Sequence, residues 1–527
     1  MKFITTFVLL FFLLPITHGN VACIDVPAVA EHNKGSLINI CIEDIAGNGT
    51  VFSSIKPIAG GMFQESVLAA YSAVSKQTDL SNMDLLIRTN AEGIANHVDG
   101  PSAGVAIGVM IRAITENKTL DASKTITGGL DQNGAIIPVG AVPEKVEIAY
   151  KGGKRVILVP PLSIDDNIII YSMKKFFEIN VSVYDNFDYA YSTLTSSKPV
   201  EWNVPYPKKT TLELAYPLEK KNSTQLVSSS VDNLLLELNE SISRIGDVYP
   251  EWYPYFSSRY AIAHSLYEKG FTYSAGNEAF LALYRARMLL ADGNDLTSLE
   301  NKVIMCNESL AKRLSSYNGS TERYVNAELR YYWMQNEMEG YIDEGYSSQR
   351  IARTGALEKA MMWCSLANDI ISELDNVDRY DLERVREIDK NLLGFYERGT
   401  ITEHLAKARD AYERGFYGAS LLEIAMHESV VNNTYDNNLN EYSGKREWTN
   451  MLVAHSEYLN ASSEYSESSS IEIKRYAYFL DMHLDEIEKG EEILQKDVCV
   501  SNEDVYTLLI LVLIFVFAVA IILLLKR

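Results

Sequence analysis

Asp99-Gly100-Pro101-Ser102-Ala103-Gly104, running on into Val105-Ala106-Ile107-Gly108-Val109-Met110-Ile111-Arg112-Ala113-Ile114, is the stretch on which the reading of this chain turns. Glycine and proline break the backbone at 100–101, and the residues beyond repeat as a helix that is apolar on almost every side. Such a helix is buried all round, so only its amino-terminal end reaches a surface, and Ser102 sits there. First-turn N–H groups and the positive end of the helix dipole would face the serine hydroxyl, which suits a developing oxyanion. Small neighbours, Gly100 and Ala103, leave room for a substrate. The same residues also admit a plain structural reading, with Asp99 or Ser102 as a helix cap and the glycines as turn residues.

A second block follows at Ile126-Thr127-Gly128-Gly129-Leu130-Asp131-Gln132-Asn133-Gly134-Ala135-Ile136-Ile137-Pro138-Val139-Gly140. Asn133-Gly134 between two strand-like runs predicts a hairpin. Next, Ala141-Val142-Pro143-Glu144-Lys145-Val146-Glu147-Ile148-Ala149-Tyr150 predicts a short helix, with Pro143 in its first turn and Gly152-Gly153 past its end. Lys145 therefore lies in the first turn, where the dipole disfavours an ammonium. Burial would lower its pKa further, as a general-base lysine requires. Against this stands an ordinary solvated first-turn lysine.

Working outward, proline placement divides the chain. All fourteen prolines precede residue 255, and Pro199, Pro205, Pro207 and Pro217 fall in a Lys-, Ser- and Thr-containing stretch, 196–230, that reads as a linker. Upstream, β-branched runs (Val21 to Val26, Thr125 to Thr127, Ala135 to Val139, Arg155 to Val159) alternate with helical windows, predicting a mixed α and β domain over 23–195. Downstream, 231–500 reads as a helical bundle or array, with Leu357, Ala360, Met361, Cys364, Ala367, Ile371 and Leu374 at helical spacing. Leu266-Tyr-Glu-Lys-Gly-Phe271 and Ala411-Tyr-Glu-Arg-Gly-Phe416 each predict a helix ending at glycine and another beginning after it.

Across its 527 residues the chain is 47% hydrophobic and 22% charged, which excludes a mostly disordered protein. A net charge of -22 makes nucleic acid and anionic lipid surfaces poor partners. Phe3 to Ile16 reads as a signal-peptide core with cleavage near Gly19, an uncleaved anchor being the alternative. Residues 505–525 are uncharged and long enough, at about 31 Å, to span a bilayer as a helix. Glu503 and Asp504 before that run and Lys526 and Arg527 after it place the tail in the cytoplasm and the body outside. The expectation is a single-pass cell-membrane protein with an extracytoplasmic body. Nine Asn-X-Ser/Thr sequons fit that location. Among five cysteines, Cys23 with Cys41 and Cys306 with Cys364 are candidate disulfides, buried thiols being the alternative, while Cys499 has no evident mate. No metal-ligand spacing occurs, and no cofactor is expected.

Taken together, the blocks around Ser102 and Lys145 resemble the proteolytic domain of the Lon-type serine proteases, which use a Ser-Lys dyad. Asp99-Gly100-Pro101-Ser102-Ala103-Gly104, Thr127-Gly128, Pro138-Val139-Gly140, Glu144-Lys145 and Val156-Ile157-Leu158-Val159-Pro160 carry the resemblance in family order, with Gly61-Met-Phe-Gln-Glu-Ser66 upstream. It covers about 23–195, a third of the chain. The resemblance implies an α+β Lon-like proteolytic domain, followed here by the all-α region and the transmembrane helix. It further implies Ser102 as nucleophile, Lys145 as the base, Thr127 as the residue orienting the lysine, Asp99 as an influence on its charge, and serine-end N–H groups, about Gly100 and Ala103, as oxyanion donors. Polypeptides are the implied substrates and a ring, hexameric in form, the implied assembly. Two departures stand out. Leu86-Ile87-Arg88-Thr89-Asn90 lacks the histidine that the family carries on the strand before the serine, and no Gly-Lys-Ser or Gly-Lys-Thr nucleotide loop exists in the chain. The expected activity is therefore a membrane-anchored serine endopeptidase acting without ATP on accessible or unfolded polypeptide. A surface scaffold or binding protein with a protease-like domain is the alternative.

Overall fold

Alternating burial in Val21–Val29 (β1) and Gly35–Ala46 (β2), with Ile24 and Val26 facing Ile38 and Ile40 inward, makes an antiparallel pair that covers one side of a core. The computed structural model describes residues 20–489, apart from 30–34, 54–57, 91–96, 175, 222–226, 292–295, 340–346, 373–381, 397–398, 433–438, 440 and 463. The apolar segments 3–16 and 505–525, with Cys499, lie outside them. Among the described residues no helix is long and apolar enough to cross a membrane. Cys23 and Cys41, directly opposite in the β1–β2 ladder, form a disulfide.

Val51–Ser53 (β3) and Met83–Asn90 (β5) complete a sheet of order β1-β2-β5-β3, while Ile58–Ala59 (β4) pairs separately with His97–Val98 (β6). A second sheet is wholly parallel: Lys124–Ile126 (β7) and Asn180–Val183 (β11) flank Val156–Val159 (β10). Its central strand is buried at every position, as a parallel strand covered on both faces must be. Gly129–Leu130 (β8) and Ile136–Ile137 (β9) form the hairpin expected around Asn133-Gly134, with Gly134 at φ +88°. Helices Gly61–Ser75 (α1), Gly104–Thr115 (α2), Val142–Lys151 (α3), Ile164–Met173 (α4) and Phe187–Leu194 (α5) complete this part. Between Gly104 and Ile114 only Arg112 of α2 escapes burial, because α1, α5, the first sheet and β8 pack round it.

The stretch after residue 195 is pinned along its length. Buried Lys124 donates to the carbonyls of Thr193, Ser196 and Lys198. Asn203 bridges to β11, the Asn167 side chain donates to Pro205 O at 2.7 Å, and Ala215 N donates to Ala461 O at 2.7 Å. Its prolines exclude helix, but bonds to neighbouring elements hold it as an extended strap.

Helices follow from Ser228: Ser228–Val248 (α6), Tyr253–Glu268 (α7), Thr272–Leu290 (α8), Leu296–Ser315 (α9), Thr321–Glu339 (α10), Ser347–Ile370 (α11), Leu382–Tyr396 (α12), Glu403–Glu413 (α13), Tyr417–Val431 (α14), Glu447–Ala461 (α15) and Glu467–Lys489 (α16). The two glycine-centred motifs make the same turn. Gly270 (φ +81°) and Gly415 (φ +85°) let Phe271 N and Phe416 N donate back to Leu266 O and Ala411 O, closing α7 and α13 before α8 and α14 begin. Cys306 and Cys364 join α9 to α11 as a disulfide.

Two compact units divide these elements: 1–315 with 330–369 and 461–464, and 316–329 with 370–460 and 465–527. The boundary does not fall in the proline-containing strap, so the mixed α and β segment and the helices through α9 share one unit. Tyr284 and Arg285 of α8 hold Asp165 of α4 there, each at 2.7 Å. In the other unit α14 is buried almost throughout. Its polar side chains are satisfied from neighbouring helices: Ser420 by Asp389 at 2.8 Å, Glu423 by His404 at 2.7 Å, and Glu428 by Tyr396 and His483, both at 2.7 Å.

Candidate active site

Ser102 lies in a single 3-10 turn, Pro101–Ala103, that feeds α2. Gly100 enters the turn at φ +105°, which a side chain disfavours, and open space surrounds the position its Cβ would occupy. The serine is half-buried, and among the described residues its hydroxyl makes no hydrogen bond. Backbone pairing fixes it against the second block: Gly128 N donates to Ser102 O at 2.9 Å and Val105 N to Gly128 O at 3.2 Å. Glycine at 104 suits that close approach, since a Cβ there would lie 3.0 Å from Leu130 N, a tight contact. Gly128 has φ +154°, and its missing side chain admits the Tyr184 hydroxyl, which donates to Thr127 O at 2.9 Å.

The structure thus brings Ser102 and Thr127-Gly128 together. Thr127 is buried and, among the described residues, its Oγ1 has no hydrogen-bond partner. A buried orphan hydroxyl costs ~1–3 kcal/mol.

Lys145 sits in the first turn of α3, as the sequence predicts, and is 6% exposed. Its amine donates to Gly140 O at 2.9 Å. The loop is bent back to offer that carbonyl by Ala141, a non-glycine residue at φ +55°, a conformation that costs of order 1 kcal/mol or more. Loss of water around the amine, partly opposed by the neighbouring Glu144 carboxylate, brings its pKa down from 10.5 to about 8. Burial in turn pushes the Glu144 carboxyl upward. Ser102 and Lys145 are not hydrogen-bonded to each other.

Asp99 stands at the amino-terminal end of α1. Its Oδ1 accepts from Phe63 N at 3.0 Å and Gly100 N at 2.9 Å, capping α1, whose own cap residue, Gly60, has no side chain. Glu144 is the carboxylate that acts on Lys145. The oxyanion donors also narrow. Gly100 N already donates to Asp99 Oδ1, Gly104 N to Pro101 O and Val105 N to Gly128 O, so these three N–H groups at the serine end are spent. No group of three or more His, Cys, Asp and Glu suited to a metal ion occurs among the described residues.

Residues 29–181 match the family model of the Lon protease (S16) C-terminal proteolytic domain. Relatives include the archaeal Lon protease of Thermoplasma volcanium, 35% identical over 125 residues that make up 23% of this chain and 18% of that protein. The archaeal Lon protease of Archaeoglobus fulgidus is 33% identical over 118 residues, 21% of this chain and 19% of its own. The Lon protease of Buchnera aphidicola is 28% identical over 163 residues, 28% of this chain and 20% of its own. The chain thus spans about a fifth of the length of these relatives. These matches place a Lon-type proteolytic domain in residues 29–181 of a mostly helical chain.

Proposed function

We propose that the chain is a membrane-anchored serine endopeptidase that hydrolyses accessible or unfolded polypeptides with a Ser102–Lys145 dyad and without ATP. The observation that carries this reading is the buried, pKa-depressed amine of Lys145 inside a segment that matches a proteolytic domain. A neutral amine has two N–H donors and one lone pair. One N–H holds Gly140 O, so the lone pair is left to accept the Ser102 proton as Oγ attacks the scissile carbonyl carbon. The N–H groups of Ser102 and Ala103 stabilise the resulting oxyanion. Lys145 then gives its proton to the leaving amine, and a water deprotonated by the same amine hydrolyses the acyl ester.

In this scheme the Thr127 hydroxyl, unpartnered among the described residues, accepts the second N–H of the Lys145 amine as the reaction proceeds, which separates that role from a structural one. Thr127→Val removes an unsatisfied buried oxygen, so melting should stay level or rise, by up to ~1 kcal/mol. Peptide hydrolysis should nevertheless fall ~10-fold or more. Unchanged hydrolysis would assign Thr127 to packing alone.

Support for an extracytoplasmic location comes from both disulfides and from the sequons. Asn48, Asn117, Asn180, Asn239, Asn318 and Asn460 are exposed, and Asn307 and Asn432 are half-buried. The apolar run 505–525 supplies the anchor and the cytoplasmic tail follows it. Assembly into a ring accords with the family resemblance. The full chain, purified in detergent micelles and given an unfolded protein with no nucleotide, is expected to release peptides. A folded preparation that releases none, with or without ATP, contradicts the reading.

A further inference from the structure

Glu147 follows Lys145 by two residues, which puts it about 200° round α3 from the amine. Its side chain is 1% exposed. On that far side its carboxylate accepts from Ser347 N at 3.2 Å, from Ser348 N at 3.0 Å and from the Ser348 hydroxyl at 3.2 Å. Those are the first two residues of α11, so a residue of the proteolytic segment caps a helix 200 positions further on, with its negative charge at the positive end of the dipole. Lys151, on the next turn of α3, completes the cluster at 3.0 Å.

The capped helix is itself firmly held. Cys364 is bonded to Cys306 of α9, Glu358 pairs with Arg287 of α8 at 2.9 Å, and Arg353 donates to Met338 O at the end of α10 at 2.8 Å.

We propose that Glu147 is a positioning residue for Lys145: it locks the base-bearing helix to the helical region, so that hydrolysis depends on α11 being seated against α3. The inference rests on Lys145 acting as the base. It makes the helical region a controller of the reaction in addition to whatever substrates or membrane it serves, because displacing α11 frees α3 on the face opposite the amine.

The test is the rate at which an active-serine phosphonate labels Ser102 in the full chain, measured across pH. In Glu147→Ala the rate should drop about tenfold or more, and its inflection should move to higher pH as water reaches the amine. Glu147→Gln keeps one side-chain oxygen for one of the two N–H groups and turns an NH2 toward the other, so its rate should fall between those of Glu147→Ala and the wild type. Ser348→Pro removes the same contact from the α11 side, at a first-turn position that tolerates proline, and should reproduce the loss and the shift. If Glu147→Ala does not fold, the other two variants carry the test. Wild-type labelling with an unaltered rate and inflection in the variants overturns this inference alone. Absence of labelling in the wild type overturns the Ser102–Lys145 reading, and this inference with it.

Discussion

Ser102→Ala should abolish peptide hydrolysis, by a factor of ~10⁵ or more on the scale seen when a protease nucleophile is removed. Its fold should be unharmed. The hydroxyl makes no hydrogen bond among the described residues and the side chain is half-buried, so its loss should change stability by no more than ~0.5 kcal/mol. Backbone bonds from Gly128 and to Pro101 O hold the turn, and neither uses the side chain. The measurement is peptide release from an unfolded protein beside a thermal melt of the same sample. Residual hydrolysis near the wild-type rate would move the nucleophile elsewhere.

Lys145→Met should act in opposite directions on activity and stability. Without the amine nothing accepts the Ser102 proton, and hydrolysis should fall by at least ~10³-fold. Stability should rise near neutral pH. The folded-state pKa of Lys145 is about 8, against 10.5 for an ordinary lysine. Between those values the unfolded chain binds the proton and the folded chain does not, so the stability of the wild type climbs as pH rises through this window. Below about 8 both states are protonated and the full penalty of the buried ammonium, ~3 kcal/mol, is present. Methionine is of similar length and carries no charge, so it removes that penalty. Gly140, whose carbonyl loses its donor, is exposed and can bond to water. Melting at pH 7 should therefore be higher in Lys145→Met, and the difference should close by pH 11. A lower melting temperature at pH 7 would mean that the amine is not the strained group described here.

Much of the domain's outline was legible locally. Apolar residues on every side of 104–114 announced a buried helix with a serine at its exposed end, and Pro143 and Gly152-Gly153 bounded the lysine helix. The same holds for the twin glycine turns at 270 and 415, because each depends on residues within one turn of the chain. What escaped depends on partners far apart in sequence. Asp99 caps a helix that starts 38 residues earlier. The 196–221 strap reads as a linker in sequence, and its bonds with Lys124, Asn167 and Ala461 hold it in place. Glu147 resembled any polar residue on a short amphipathic helix, since periodicity reports that a face is buried or exposed and is silent about what covers it. At the serine end, composition could count the N–H groups. Only the pairing of Val105 with Gly128 shows which are already used.

The central claim is that a buried, uncharged lysine amine activates Ser102. Its most direct test is the pH dependence of labelling at Ser102 by an active-serine phosphonate, with the site mapped by mass spectrometry, in the wild type and in Lys145→Met. The account predicts that wild-type labelling rises with pH and levels off above about 8, as the amine loses its proton, and that Lys145→Met labels negligibly below that plateau. Labelling at another residue, or at Ser102 with the same rate and pH profile in both proteins, would contradict it.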